Sequence, residues 1–202
     1  MAACEMREKI LDAAARLFAT KGYAAVSMRR VATEVGMTPA NLYYHFKDKE
    51  DLVRSSLAYV FERETPTFER IVQEESGDPI LCLERLTNWF ASLLFEDTIF
   101  ARLLVRELLE DDADRLEFLT KNVFQSSFST LVRIIEESLE TDDPVLAALF
   151  LSSTVIGYVQ YSVILPFLHG ARPEYSDPQK ITQYLMREIR NKAKKGLVVR
   201  EK

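Results

Sequence analysis

The chain has 202 residues, 48% of them hydrophobic, and a formal net charge of −5. That is enough apolar side chain for a real core, in one large domain or two small ones. Its two cysteines, Cys4 and Cys82, are too far apart for metal or redox spacing, which excludes such a pair and fits a reducing compartment. The acidic total excludes a uniformly basic nucleic-acid binder, but residues 1–47 hold seven Lys/Arg against four acids, a net of +3, so the rest carries −8.

Taken in chain order, the pattern is helical nearly throughout, with no sustained alternation of the kind strands show. A first helix is predicted over about residues 5–20, with Ile10, Leu11, Ala14, Leu17 and Phe18 on one face and Gly22 after its end. Glu5, Arg7, Glu8 and Lys9 interrupt any apolar leader there, so a signal peptide is not expected and the chain is expected in the cytoplasm. Two short helices follow, at 28–35 and 39–46. A longer helix begins after Asp48, and Pro66 breaks or kinks it. Further helices are predicted over about 79–95, 98–110, 113–140, 144–168 and 178–195. Asp78-Pro79, Asp143-Pro144 and Asp177-Pro178 mark three helix starts, since Asp caps free N–H groups and Pro suits the first turn.

Two stretches invite a second reading. The acidic run from Glu110 to Asp114 is expected to be a solvated turn rather than a metal site. Residues 144–168 contain no charge over 25 positions, long enough for a membrane span. Ser152, Ser153, Thr154, Gln160, Ser162 and Pro166 interrupt it, with Ser153, Gly157 and Gln160 on one face. A helix buried within a soluble protein, or in its dimer interface, is therefore expected instead of a membrane partner.

The informative stretch is residues 27–46. Ser27 can cap a short helix whose narrow apolar face is Met28, Val31, Ala32 and Val35. Gly36 allows a tight turn. Thr38 caps a second short helix that Pro39 opens, and Leu42 and Phe46 anchor it inward. Two short helices about a glycine turn make a helix-turn-helix, whose second helix enters the major groove. The outward side chains suit DNA. Hydroxyls of Thr38 and Tyr43 can bond phosphate oxygens. Lys47 and Lys49 add positive charge. Arg29 can reach a guanine edge or a phosphate, Asn41 can pair with adenine, and Pro39 and Ala40 can touch thymine methyls.

The run G-Y-A-A-V-S-M-R-R-V-A-T-E-V-G-M-T-P-A-N-L-Y-Y-H-F-K-D-K-E-D-L, residues 22–52, resembles the DNA-binding domain of TetR-family repressors. The close match covers about residues 7–55. The resemblance implies an all-α fold of about nine helices: a helix-turn-helix DNA-binding domain over residues 1–50 and a larger helical ligand-binding and dimerisation bundle over 51–202. It implies that Tyr43 and Lys49 hold phosphates, with Ser27 and Thr38 in the same role. Arg29, Pro39, Ala40 and Asn41 would approach base edges, and Leu42, Tyr44 and Phe46 would be mainly core. For His45 a phosphate contact and a structural role both stay open. The Pro39-Ala40 start offers few hydrogen bonds, which shifts base readout toward Arg29, Asn41 and DNA shape.

The same resemblance implies a homodimer through helices 144–168 and 178–195, a near-palindromic operator, and a repressor released by a small, largely apolar or aromatic effector. Trp89, Phe90, Phe100, Leu104, Phe124, Phe128, Tyr158, Tyr161 and Phe167 are the candidate lining of its pocket. Arg102, Arg106 and Glu107 would be polar contacts there or surface pairs. No cofactor and no metal are implied. An enzyme is the first rival reading, but His45 and His169 are the only histidines, and no nucleophile elbow, metal-ligand spacing or phosphate loop occurs. The second rival is a helical interaction protein without DNA binding; Tyr43, Lys49 and the capped Thr38-Pro39 start argue against it, because packing does not require them all.

Overall fold

The computed structural model describes the backbone of residues 2–200 and the side chains of residues 5–189, so Cys4 lies outside the described side chains. Every helix predicted above is present, and no strand occurs among the described residues. In order they are α1 (Ala2–Lys21), α2 (Met28–Glu34), α3 (Pro39–His45), α4 (Lys49–Glu62), α5 (Thr65–Glu74), α6 (Pro79–Glu96), α7 (Thr98–Glu110), α8 (Ala113–Leu119), α9 (Gln125–Ser138), α10 (Pro144–Tyr161) and α11 (Pro178–Arg200). A π-helical turn over Thr120–Phe124 joins α8 to α9, so the one long helix expected at 113–140 runs through with a bulge. Helix α5 is the addition. Pro66 ends α4 as expected, but it also occupies the first turn of a new helix, where its missing N–H costs nothing.

The helix starts follow local chemistry. Asp78, Asp143 and Asp177 each accept a backbone N–H through Oδ1, from Leu81 at 3.0 Å, Leu146 at 2.8 Å and Gln179 at 2.9 Å. All three Asp-Pro pairs are thus capped helix starts. Gly22 closes α1 at φ +81°, a conformation that would strain any residue with a Cβ. The last predicted turns of 144–168 differ from expectation. The α-helix stops at Tyr161 and a 3₁₀ stretch, Ser162–Phe167, carries Pro166, whose ring cannot sit in a continuing α-helix.

The chain forms two compact units, the first from Met1–Thr65 with Asp97–Gln125, the second from Pro66–Glu96 with Ser126–Lys202. In the first, α1 packs on α2, α4 and α7, while α4 also packs on α7 and α8. Ile10, Leu11, Ala14, Leu17 and Phe18 are all buried, as the helical spacing of α1 required. Phe61 meets Phe100 edge-on at 5.0 Å and Phe124 in a tilted contact at 5.2 Å. In the second unit α6 packs on α10 and α11, around Leu83, Leu86, Ile134, Ile135, Ala148, Leu151 and Met186. The packing groups α7 and α8 with the N-terminal helices, a non-local association that no local pattern announces.

Within the second unit α10 buries one face, Ala148, Leu151, Val155 and Val159. Only 22% of its most apolar window is buried, so its own chain does not cover it. Pro144–Phe167 is the one segment among the described residues long and apolar enough to cross a membrane, by length and composition alone.

Candidate nucleic-acid interface

The helix-turn-helix is built by caps. Ser27 Oγ accepts the N–H of Arg30 at 3.2 Å and starts α2. Val31 and Ala32 are fully buried and Met28 nearly so, leaving Arg29 and Arg30 outside. Gly36, at φ +72°, turns the chain, and the Met37 N–H closes back on the Ala32 carbonyl at 2.9 Å. Thr38 Oγ1 accepts the Asn41 N–H at 3.3 Å, and Pro39 fills the first turn of α3. Asp48 Oδ1 accepts the Asp51 N–H at 2.8 Å, while Asp51 Oδ2 accepts the Lys47 N–H at 2.9 Å, a reciprocal box at the start of α4. Capping does not disable the Ser27 and Thr38 hydroxyls for DNA. Each oxygen accepts inward, and its own hydrogen stays available to a phosphate oxygen.

Leu42 and Phe46 point inward and are fully buried, the latter under the Arg7 guanidinium at 5.2 Å. Pro39, Ala40 and Asn41 are exposed, as are Arg29 and Lys47. Tyr43 is 53% exposed. His45 is half-buried and lies edge-on to Tyr44, 5.6 Å between ring centres. Lys49, the first residue of α4, is half-buried and holds its ammonium 4.0 Å from the centre of the Tyr23 ring. The candidate DNA-contacting residues therefore lie on α2, α3, their caps and the entry to α4, most of them exposed.

One expectation is overturned. Tyr44 is not core; it is 88% exposed. At 3.6 residues per turn it stands roughly 200° around the helix from Leu42, while Phe46 stands roughly 40° away. The helical wheel thus puts Tyr44 on the outer face, beside Tyr43, and its hydroxyl joins the surface that α3 presents.

The sequence also hid a charged cluster beneath the interface. Arg115, on α8, is 2% exposed. Its Nε donates to Glu107 Oε2 at 2.9 Å, its other nitrogens reach Asp112 at 3.1 Å, Glu110 at 3.4 Å and Glu50 at 3.6 Å, and its guanidinium lies 5.1 Å from the Tyr23 ring centre. Tyr23 shares its hydroxyl proton with Glu50 Oε2 at 3.2 Å, and Arg54 Nε donates to Glu50 Oε1 at 3.1 Å. Burial pushes the Tyr23 phenol up, and the Glu50 carboxylate beside it adds to that, so it remains a neutral donor. Burial likewise pushes the Glu107 carboxyl up, with Arg115 opposing. Thus Glu107 is buried in its ion pair with Arg115, while Glu110 and Asp112 reach that arginine from the solvent side, their side chains 36% and 38% exposed, so the acidic run is largely solvated as expected. Arg106 Nε donates to the Ala19 carbonyl at 3.4 Å, and Arg102 is exposed. An arginine among acids on a short helix resembles a surface pair in sequence, so only the fold reveals this cluster.

The nine pocket candidates divide between the units. Phe100, Leu104 and Phe124 belong to the first, where Phe100 is buried against Phe61. Trp89, Phe90, Phe128, Tyr158, Tyr161 and Phe167 belong to the second. There Trp89 packs between Phe68 at 6.1 Å and Phe90 at 6.4 Å, and the Tyr158 hydroxyl donates to the Tyr175 carbonyl at 2.9 Å. Tyr161 and Phe167 are exposed. No grouping of His, Cys, Asp and Glu suited to a metal ion occurs among the described residues.

Comparison with known proteins places this geometry. The profile of bacterial regulatory proteins of the tetR family matches residues 10–55. The regulator AcrR of Shigella flexneri is 36% identical over 83 residues, 41% of this chain and 38% of AcrR. The nucleoid occlusion factor SlmA of a Marinomonas species is 27% identical over 134 residues, 66% of this chain and 68% of SlmA. This chain spans less than half the length of most curated relatives it matches. Among solved structures, the regulator FadR of Bacillus subtilis in complex with stearoyl-CoA shares the fold, with a TM-score of 0.71 at 20% identity, over 90% of this chain and 96% of FadR. AcrR and FadR bear the names of transcriptional regulators, and SlmA that of a nucleoid occlusion factor. Residues 10–55 of this chain therefore form a DNA-binding domain of the kind found in bacterial regulatory proteins of the tetR family.

Proposed function

We propose that this chain is a cytoplasmic, homodimeric repressor that holds a near-palindromic operator and releases it on binding a small, largely apolar effector. The observation that carries the DNA-binding part is the shared exposure of Arg29, Asn41, Tyr43 and Lys47 around a helix capped by Thr38. Lys49 and Tyr43 hold phosphates, Ser27 and Thr38 donate hydroxyls to them, and Arg29, Pro39, Ala40 and Asn41 face the base edges. His45 keeps both roles open, its ring half-buried at the end of α3. The division into a DNA-binding part up to residue 50 and an effector and dimer part after it belongs to the same reading.

The dimer rests on α10. Val145, Leu146, Leu149, Phe150 and Tyr161 are exposed on it, Phe150 by 67%, and Ser153 and Gly157 lie between them with room for close approach. A second copy of α10 and α11 covers this face in a four-helix interface, which also removes any need for a membrane. Two-fold symmetry then sets two reading helices one DNA turn or more apart. The effector part rests on the aromatic residues of the middle helices, and the FadR fold's accommodation of stearoyl-CoA supports a largely apolar ligand. Such a ligand lowers operator affinity by favouring a dimer geometry that does not fit the DNA.

A footprint on the DNA upstream of the chain's own gene tests this. Two symmetry-related half-sites are expected, protected at nanomolar protein; an unpaired half-site would contradict the dimeric reading. A thermal-shift screen of apolar and aromatic compounds should find a ligand that raises the melting temperature, and that ligand should clear the footprint.

A further inference from the structure

Lys49 is the proposed phosphate contact with an unfavourable position to overcome. It is the first residue of α4, where the helix dipole is positive and repels a cation. What stands opposite its ammonium is the face of the Tyr23 ring, 4.0 Å away. That ring is held at two points. Its hydroxyl donates to Glu50, and the Arg115 guanidinium lies 5.1 Å from its centre. Arg115 in turn is fixed by Glu107 on α7 and by Asp112 at the α8 cap. All of these residues lie in the first compact unit.

A buried arginine among carboxylates is a weak source of stability, because desolvation offsets much of the attraction and an apolar side chain of similar volume would do as well. What the fork supplies is geometry: several directed bonds that hold one planar group in one place. Resting on the reading of Lys49 as a phosphate contact, we infer that Arg115 is a positioning residue for operator binding. It fixes the Tyr23 ring and thereby the place where the Lys49 ammonium waits for DNA. The α7–α8 segment that carries Arg115 and Glu107 is thereby mechanically coupled to a phosphate contact. Without Arg115 the ring shifts, the lysine chain samples its other rotamers, and operator binding must order it anew.

The test uses the full chain and its upstream DNA. Arg115→Met is expected to weaken operator binding about tenfold, the scale of ordering long side chains at two symmetric sites. In a Lys49→Met background the same change should have almost no further effect. NMR gives a reading that needs no DNA. The Lys49 Cε protons should lie upfield in the native protein, under the Tyr23 ring current, and return toward the ordinary lysine position in Arg115→Met. If stranding Glu107 prevents folding, Arg115→Met with Glu107→Leu replaces the whole pair, and Tyr23→Leu repeats the cycle from the other side. An equal loss of affinity with and without Lys49, or an unchanged ring-current shift, would overturn the inference. Should the native protein bind no DNA, the functional reading fails, and the ring-current shift alone decides the placement.

Discussion

The helix-turn-helix and α10 are apolar to a similar end and specified in opposite ways. In residues 27–52 each local signal agrees with its neighbours: Ser27, Thr38 and Asp48 cap three helices, Gly36 turns at φ +72°, and Leu42 and Phe46 meet the same core. Along α10 the chain itself supplies the Asp143 cap, the four residues of one buried face and the Tyr158 bond to the Tyr175 carbonyl. Most of its apolar surface is left uncovered by the described residues. A segment that completes its own contacts can be read from one sequence. A segment whose apolar face its own chain leaves open shows that face and not what covers it.

Substitutions can break that contrast. The largest effect is expected in the self-contained region. Phe46→Ala should cost about 3–5 kcal/mol of unfolding free energy, since it empties a fully buried ring site; denaturant unfolding followed by circular dichroism measures this. Phe150→Glu on α10 should leave the monomer folded but raise the dimer dissociation constant by about a hundredfold or more, as loss of a central apolar anchor does. Analytical ultracentrifugation checks it, and an unchanged dimer would remove α10 from the interface. Gly36→Ala should cost about 1–2 kcal/mol, because its neighbourhood is open and the positive φ is the only obstacle. The smallest effect is expected at Tyr44. Tyr44→Ala should change stability by less than about 0.5 kcal/mol, as at any exposed site, whereas a core role would cost several times that.

How much was legible follows the same division. Helix positions, the three Asp-Pro starts and the exposure of Arg29, Asn41 and Tyr43 are written in residues within a turn or two of each other. Tyr44 was misplaced by the family resemblance, although its angle to Leu42 on the helical wheel already set it outward. Arg115 was out of reach. Its partners Glu50 and Glu107 lie on two other helices, and charged residues on short helices are usually solvated. The extra helix α5 is hidden in the sequence because Pro66 reads as a helix end, while the same ring also suits a beginning. The grouping of α7 and α8 with the N-terminal helices depends on contacts between distant segments, for which one sequence holds no periodic signature.

The central claim is that α3 and the entry to α4 hold DNA. Its most direct measurement is fluorescence anisotropy of upstream DNA at two salt concentrations, for the native chain and for Tyr43→Ala with Lys49→Ala. The native chain should bind at nanomolar concentration and weaken steeply as salt rises. The double variant should lose binding while keeping its dimer and its melting temperature. Binding by the double variant equal to that of the native chain would contradict the assignment.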